Sequence, residues 1–189
     1  MSTVAPVGER LMTIEDMAQM PDDGRLHELV RGRLVEMNSP RPKHGFICSE
    51  ISGLLREFVK PRKLGRVFSN DSGVIIERDP DTLRGPDVGY YSYARVPRGK
   101  VPDGYFATPP EIAFEVMSPS DTWPEVLKKV AELLDAGVNV VCVADPRNNT
   151  VQVHTADHPV EHLAENDNLT FPTILPDFRC KVGQCFDID

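Results

Sequence analysis

The stretch Pro110-Glu-Ile-Ala-Phe-Glu-Val-Met-Ser-Pro-Ser-Asp121 places an acidic side chain inside an apolar segment. Residues 112–117 have the composition of a short buried β-strand, with Glu115 among its apolar neighbours. The following Ser118-Pro-Ser120 is typical of a turn, and a helix is predicted to begin near Thr122. Burying a carboxylate is costly unless it is paired or binds a metal, so the role of Glu115 is the main question that the sequence raises.

The segments around this strand predict a mixed α/β fold. A short helix in residues 13–20 and a hairpin in residues 26–37 come first. Apolar residues recur at helical spacing in residues 44–59 and again in residues 122–136, and residues 139–144 form an apolar run typical of a central strand. The core order is helix, strand, strand, strand, helix, strand, which predicts an α/β sandwich around a central mixed sheet.

The remaining segments are predicted to be irregular. Residues 1–10 are expected to form a disordered lead, and residues 11–189 a single domain. The Pro, Gly and charged residues of segment 78–86 favour a loop, and its acids, including Asp81, are interpreted as solvated. The tail after residue 154 is expected to be mostly loop with a few short extended pieces.

The composition narrows the class of protein. The chain has no apolar run near 18 residues and no charged-then-apolar leader, so neither a membrane span nor a signal peptide is predicted, and a cytoplasmic location is expected. A net charge of −8 argues against broad, non-specific binding to phosphates. The first third is nevertheless richer in Lys and Arg, which fits either a solvated surface or a local nucleic-acid groove.

The four cysteines show no C-x-x-C pairing. Cys48 and Cys142 lie in apolar segments and are interpreted as small core residues. In a reducing compartment Cys180 and Cys185 are not expected to form a disulfide, and no His lies close enough to them to suggest a zinc site.

Asp87 and Glu115 are the candidate metal ligands. Asp87 opens one predicted strand, and Glu115 lies near the end of a later one. If the strands are neighbours, the carboxylates converge at one end of the sheet and offer the hard oxygen ligands that Mg²⁺ or Mn²⁺ prefers. Such an ion polarises a phosphodiester and activates water. The alternative is that Pro86-Asp87 is only a turn and Glu115 only an ion-pair partner.

A lysine is the usual third group of such a site, where it stabilises negative charge. Two positions after Glu115 stands Met117, which cannot serve, so the nearest candidates are Lys128 and Lys129 on the following helix. Lys129 lies at the border of the apolar stripe and can turn back toward the sheet, whereas Lys128 shares the outward face. We therefore expect Lys129 to be the functional lysine and Lys128 to be solvated.

Two further side chains are weaker candidates. His44, at the start of a predicted helix, is either a proton shuttle or phosphate contact, or a residue packed for structure. Glu28 lies in an apolar strand and raises the same question as Glu115. The sequence contains neither a Gly-rich phosphate loop nor a G-x-S-x-G elbow.

Over about residues 11–178 the chain resembles the Uma-type family of bacterial proteins. These proteins have no assigned function and are grouped with restriction endonucleases in the PD-(D/E)XK nuclease-like superfamily. The resemblance rests on a set of short motifs: Leu26-His-Glu-Leu-Val-Arg-Gly-Arg-Leu34, His44, Gly85-Pro-Asp-Val88, Phe114-Glu-Val-Met-Ser-Pro-Ser120, Lys129, Ala136-Gly-Val138 and Val143-Ala-Asp-Pro146.

The resemblance implies a restriction-endonuclease-like core of α-β-β-β-α-β order, in agreement with the elements predicted above. It identifies Asp87 as the motif Asp and Glu115 as the motif acid. It also implies that the motif lysine has moved from the strand to the next helix, which fits Lys129. Glu28 and His44 match further acidic and His positions of the family.

These observations lead to a first hypothesis of a metal-dependent endonuclease that hydrolyses phosphodiester bonds in DNA. Asp87 and Glu115 would hold Mg²⁺ or Mn²⁺, Lys129 would stabilise the pentavalent phosphate, and His44 or Glu28 would assist. A homodimer is expected, because twofold symmetry suits two-strand cleavage. The alternatives are a non-catalytic nucleic-acid-binding or regulatory domain that retains the nuclease fold, and a metal-dependent phosphoesterase for a small substrate.

Overall fold

The structure is a computed structural model that describes residues 10–188, and this part of the chain forms three α-helices and twelve β-strands. The helices are α1 (Ile14–Ala18), α2 (Pro42–Arg62) and α3 (Trp123–Asp135). The strands are β1 (His27–Val30), β2 (Arg33–Glu36), β3 (Gly65–Ser69), β4 (Val74–Glu77), β5 (Thr82–Arg84), β6 (Val88–Ser92), β7 (Ile112–Val116), β8 (Val140–Asp145), β9 (Thr150–His154), β10 (Glu161–Leu163), β11 (Asn168–Phe171) and β12 (Leu175–Lys181).

A six-stranded mixed sheet in the order β10-β9-β8-β7-β6-β3 forms the centre of the fold. β7 and β8 pair in parallel through the crossover helix α3, and the other neighbouring strands of this sheet pair antiparallel. β7 and β8 are buried along their whole length, as expected for central strands covered on both faces. The mixed sheet and the α-β-β-β-α-β order are therefore confirmed.

The two long helices cover opposite faces of this sheet. α2 has Pro at its first turn, where a missing N–H costs no hydrogen bond, and buries Ile47, Ile51 and Leu55 against one face. α3 begins with a capping box formed by Thr122 and Glu125, and it buries Val130 and Leu133, with Val126 partly buried, against the other face. The predicted sandwich is thus confirmed. His44 of α2 and Lys129 of α3 both reach the end of the sheet where β6 begins and β7 ends.

The predicted loop at residues 78–86 is wrong for residues 82–84, which form β5. β5 pairs with both β1 and β4 in a second sheet of order β2-β1-β5-β4, and Leu83 is buried beneath α1. Asp81 is also buried rather than solvated. Its carboxylate accepts hydrogen bonds from the backbone N–H of Ile14 and from Arg78, and these bonds offset the cost of its burial. A three-residue strand is too short to show an alternating pattern, so composition alone indicated a loop.

The tail is more ordered than predicted. It adds β10 to the central sheet, and β11 and β12 form a hairpin whose apolar side chains, including Phe171 and Phe178, pack on the same core as α2. Residues 1–9 of the expected disordered lead lie outside the described residues. None of the helices in residues 10–188 is long and apolar enough to cross a membrane.

Candidate active site

Strand pairing brings Asp87 and Glu115 to the same end of the central sheet. β6 runs antiparallel to β7, with Val88 opposite Phe114, so the residue before β6 lies beside the end of β7. The backbone N–H of Val116 donates a hydrogen bond to Asp87 Oδ2. Both acids are only 8% exposed, so neither is an ordinary surface carboxylate.

Asp87 is held as a carboxylate by its neighbours. Burial acts to raise its pKa, but the hydrogen bond from His44 and the charges of Lys129 and His44 keep the pKa below its ordinary value. His44 Nε2 lies 3.3 Å from Asp87 Oδ2. The same hydrogen bond raises the pKa of His44 against the opposing effect of its burial, so the charged imidazolium is favoured.

A second acid, Asp71, faces Asp87 from the loop after β3. Burial, together with the neighbouring charge of Asp87, raises the pKa of Asp71 to about 6. Gly85 allows this approach, since a Cβ there would lie 2.5 Å from the backbone oxygen of Asp71. Two carboxylates held together in this way repel each other, and a bound cation would relieve the repulsion.

Glu115 has one paired and one unpaired carboxylate oxygen. Its Oε2 lies 2.8 Å from Lys129 Nζ, whereas its buried Oε1 has no hydrogen-bond partner among the described residues. Burial raises the pKa of Glu115 to about 8, although the nearby charge of Lys129 acts in the opposite direction. A buried acceptor without a partner is unusual and marks a place where a ligand can bind.

Lys129 turns inward, and all three N–H donors of its ammonium group have oxygen acceptors within reach. Its Nζ lies 2.8 Å from Glu115 Oε2, 3.1 Å from Glu28 Oε1 and 2.8 Å from the backbone oxygen of Gly85. Burial acts to lower the pKa of Lys129, but the surrounding carboxylates raise it above its ordinary value. Lys128 projects outward, with 60% of its side chain exposed.

Glu28 belongs to a fully paired network below Lys129. Its carboxylate accepts hydrogen bonds from Arg84 at 2.6 Å and from the backbone N–H of Gly85 at 3.0 Å. Arg84 also binds Glu132 of α3, which ties β1, β5 and α3 together. Burial acts to raise the pKa of Glu28, but Lys129 and Arg84 keep it below its ordinary value.

Two cavities meet at Asp87. One, of about 320 Å³, is lined by Asp87, Glu115 and Lys129. The other, of about 610 Å³, extends along α2. His44, Asp71 and Asp87 line both cavities. Glu28 lines neither of these two and contacts the site through Lys129.

The structure thus brings together four of the side chains singled out from the sequence, with Glu28 behind Lys129. Their roles as metal ligands or catalytic groups stay predictions. Sequence reasoning missed Asp71 and Arg84. Asn70 and Asp71 both have positive φ, and no pattern in the sequence shows that this loop lies beside Asp87.

Cys48 differs from its prediction as a core residue, because it packs against the core but is partly exposed. In the described part of the chain, one group of three candidate ligand atoms lies within 4.8 Å of one another, and it comprises His44, Cys48 and Asp87. This compact group shares Asp87 with the predicted metal pair but does not include Glu115. Burial and the nearby Asp87 carboxylate raise the pKa of the Cys48 thiol well above its ordinary value.

Comparison with known proteins identifies a family and a similar fold. Residues 14–183 match the model of the Uma2 family, described as "Putative restriction endonuclease". A crystal structure of "a putative nuclease belonging to DUF820" from Anabaena variabilis ATCC 29413 is similar to the chain, with a TM-score of 0.82 and 22% sequence identity. The similarity covers 93% of this chain and 97% of that one, and at this identity it shows a shared fold. No curated protein matches the sequence significantly.

Because the family model spans nearly all the described residues, the chain belongs to the Uma2 family. Membership supports a nuclease-like function, and the restriction-endonuclease-like fold expected from the sequence is confirmed.

Proposed function

We propose that this Uma2-family protein is a divalent-metal-dependent endonuclease that hydrolyses phosphodiester bonds in DNA. The observation that carries the proposal is the unpaired, buried Oε1 of Glu115, a residue that lines one cavity together with Asp71 and Asp87. An acceptor without a donor, next to two mutually repelling carboxylates, is an arrangement that a cation would stabilise.

The carboxylates that line this cavity are of the ligand type that Mg²⁺ and Mn²⁺ prefer. Asp87 and Glu115 would hold the ion, and Asp71 would contribute a third carboxylate; hard cations of this kind bind carboxylate oxygens and water. When bound, the ion polarises the phosphodiester and activates water for hydrolysis.

Lys129 supplies positive charge next to the scissile phosphate. Its Nζ is surrounded by Glu115, Glu28 and the Gly85 backbone oxygen, so a phosphate oxygen would replace one of these acceptors. Glu28 is in turn fixed by Arg84, and it therefore acts as a positioning residue that keeps the ammonium group directed at the cavity. A fixed charge of this kind stabilises the pentavalent phosphate without costly reorganisation.

His44 acts through its protonated ring. The hydrogen bond to Asp87 orients that carboxylate, and the raised pKa of His44 keeps a proton available at the cavity. The imidazolium can therefore contact a phosphate oxygen or donate a proton to the leaving oxygen, and it is poorly suited to act as a general base.

The larger cavity supports a polymeric substrate. It runs along α2 from Asp87, and the exposed Arg56 and Lys60 lie on its rim. Arg56 and Lys60 are four residues apart on α2, and both side chains can contact the backbone phosphates of a nucleic-acid strand. The acids Glu57, Asp71 and Asp87 line the same cavity, so Arg56 and Lys60 offer individual phosphate contacts in a protein of net charge −8.

The test is cleavage of supercoiled plasmid DNA in the presence of Mn²⁺ or Mg²⁺. Wild type should nick or linearise the plasmid, and chelation by EDTA should stop it. Asp87→Asn and Glu115→Gln should each lose at least about 100-fold in rate, because loss of a ligand would weaken binding of the ion that stabilises the transition state. Asp157→Asn, which removes an exposed carboxylate far from the site, is the control and should cleave like wild type.

Failure of this assay separates the alternatives. Wild type that binds DNA but cleaves it no faster than both site variants would indicate the non-catalytic binding domain. Hydrolysis of small phosphodiesters without cleavage of DNA or RNA would indicate a phosphoesterase for a small substrate. We also propose that the protein acts in the cytoplasm as a homodimer, which sedimentation equilibrium of the full chain would test.

A further inference from the structure

His44 and Asp87 line two cavities that differ in the chemistry of their other lining residues. On one side, the cavity of about 320 Å³ adds the oxygens of Glu115. On the other, the cavity of about 610 Å³ adds the sulfur of Cys48 and does not reach Glu115. The same Asp87 carboxylate therefore borders a site of hard oxygen ligands and a site that contains a soft thiol ligand.

The sulfur side has its candidate ligand atoms close together, and an ion bound there would displace the proton of the Cys48 thiol and any proton on the coordinating ring nitrogen of His44. His44 and Cys48 are four residues apart on α2 and so lie on the same helix face, with Cys48 Sγ 3.6 Å from His44 Nδ1. One ring nitrogen, the sulfur and an Asp87 oxygen all lie within 4.8 Å of one another.

We propose that His44, Cys48 and Asp87 form a second cation site, selective for thiophilic divalent ions such as Zn²⁺, and that its occupation withdraws Asp87 from the oxygen site. The part that concerns Zn²⁺ binding stands independently of the nuclease activity. The part that concerns inhibition rests on the proposed function.

The distances fit zinc with small adjustments. Zinc bonds of about 2.0–2.3 Å at tetrahedral angles place neighbouring ligand atoms about 3.3–3.8 Å apart. The three atoms reach this range through side-chain movements of about 1 Å, which the partly exposed His44 and Cys48 on one face of α2 allow around the buried Asp87. Asp71, which lines the same cavity, or water completes the fourth position. Three protein ligands and one open position form a common zinc arrangement.

Zinc binding at this site has a direct consequence for catalysis. The Asp87 carboxylate already accepts hydrogen bonds from His44 and from the Val116 N–H. An ion on the sulfur side draws the carboxylate and the imidazole toward Cys48, so an ion on the oxygen side loses a ligand. Zn²⁺ should therefore inhibit Mg²⁺-supported cleavage through Cys48, which is not a ligand of the oxygen site.

Binding is tested with Co²⁺ as a spectroscopic substitute for Zn²⁺, on the metal-free, full-length protein. Wild type should bind one equivalent and show a thiolate-to-cobalt charge-transfer band that Zn²⁺ abolishes. Cys48→Ser should lose the band. Loss of a side chain that only supports a metal ligand lowers metal affinity by about 10–100-fold, so loss of the Cys48 sulfur as a direct ligand should lower the Zn²⁺ affinity by more than this. Cys180→Ser, which removes a buried thiol elsewhere, should retain both.

Two results would overturn the binding part. One is Co²⁺ bound by wild type without a charge-transfer band, and the other is a band that persists in Cys48→Ser. Circular dichroism of each metal-free variant identifies misfolding. If Cys48→Ser were misfolded, His44→Ala would replace it and should also lose the band, and a retained band would contradict the proposal.

Inhibition is tested as a ratio within each protein, namely the cleavage rate with Mg²⁺ alone divided by the rate with Mg²⁺ plus Zn²⁺. This ratio should exceed about 10 in wild type and fall below about 2 in Cys48→Ser, because the variant lacks the sulfur ligand. A tenfold ratio corresponds to a free-energy difference of about 1.4 kcal/mol. An equal ratio in both would overturn the inhibition part. Absence of cleavage by wild type under every condition, together with the Cys48-dependent cobalt band, would instead reject the proposed function and leave the zinc site intact.

Discussion

Glu28 and Glu115 are two buried glutamates that contact the same lysine, yet they differ in what else they bind. Both carboxylate oxygens of Glu28 have donors, supplied by Arg84, the Gly85 N–H and Lys129. Glu115 uses one oxygen for Lys129 and leaves the other without a partner among the described residues. The pKa of Glu28 is correspondingly lowered, whereas that of Glu115 is raised to about 8.

Under the proposed function, this difference separates a positioning acid, Glu28, from a metal ligand, Glu115. A satisfied buried carboxylate has its hydrogen-bonding capacity used by the protein, so its loss should affect mainly stability. An unsatisfied one retains capacity for a ligand at the expense of stability, as groups at functional sites often do. The predictions below test this contrast between the Glu28 network and the Glu115 cavity.

The largest effect is expected for Glu28→Gln, measured as the free energy of unfolding in urea. The change leaves Arg84 and Lys129 without their shared buried anion, and breaking a buried pair in this way costs about 3–5 kcal/mol. Glu36→Gln, which changes an exposed glutamate of β2, is the control and should lie within about 0.5 kcal/mol of wild type. A loss of less than about 1 kcal/mol for Glu28→Gln would show that the network is not structural.

The next effect is expected for Lys129→Met in the plasmid cleavage assay. Removal of the inward charge should lower the rate by about 100- to 1,000-fold, as for other fixed charges or donors at a transition state. Lys128→Met removes the neighbouring lysine of the same helix, whose side chain is 60% exposed, and should change the rate by less than about 2-fold. Equal losses in both variants would assign the effect to the electrostatics of α3 as a whole.

Gly85→Ala should have an intermediate effect by displacing Asp71. The added Cβ would lie 2.5 Å from the Asp71 backbone oxygen, so the loop must move, at a cost of about 1–3 kcal/mol in stability. Weaker Mn²⁺ binding should accompany the movement, as measured by calorimetry. Gly53→Ala on α2, where a Cβ meets nothing within 4 Å, is the matched control. Unchanged Mn²⁺ affinity in Gly85→Ala would exclude Asp71 from the ion's ligands.

The smallest effect concerns the pH dependence of stability. Folded Glu115 keeps its proton up to about pH 8, whereas the unfolded chain releases it near the ordinary value of 4.5. The folded state thus binds more protons in this interval, so stability falls as pH rises through it. Between about pH 6.5 and 8, above the titration of Asp71, the melting temperature in EDTA should fall more steeply for wild type than for Glu115→Gln. Parallel curves would show that Glu115 does not titrate there.

The same contrast shows how far the sequence could lead. Glu115 was identified because a lone acid in an apolar strand is conspicuous, and the inward turn of Lys129 followed from its place at the border of the apolar face of α3. Both predictions depended only on neighbouring residues, namely the apolar residues around Glu115 and the helical periodicity around Lys129. Asp71 depended on a left-handed turn and on the close approach of Gly85, and no local pattern encodes a contact of that kind.

Two further predictions differ from the structure for different reasons. β5 has three residues, too few to alternate visibly, and it is a strand because the distant strands β1 and β4 both pair with it. Cys48 was predicted to be a core residue from its apolar neighbours; it packs against the core, but its place on the surface of α2 beside His44 leaves it partly exposed.

The central claim is that Asp87 and Glu115 together bind a divalent cation, and calorimetric titration of the metal-free protein with Mn²⁺ at about pH 8 tests it most directly. High pH favours the ionised form of Glu115, because its pKa lies near 8. Wild type and Asp157→Asn should bind one ion at this site, and both Asp87→Asn and Glu115→Gln should lose it, while Glu28→Gln should retain it. Mn²⁺ bound with equal affinity by wild type and Glu115→Gln would contradict the account.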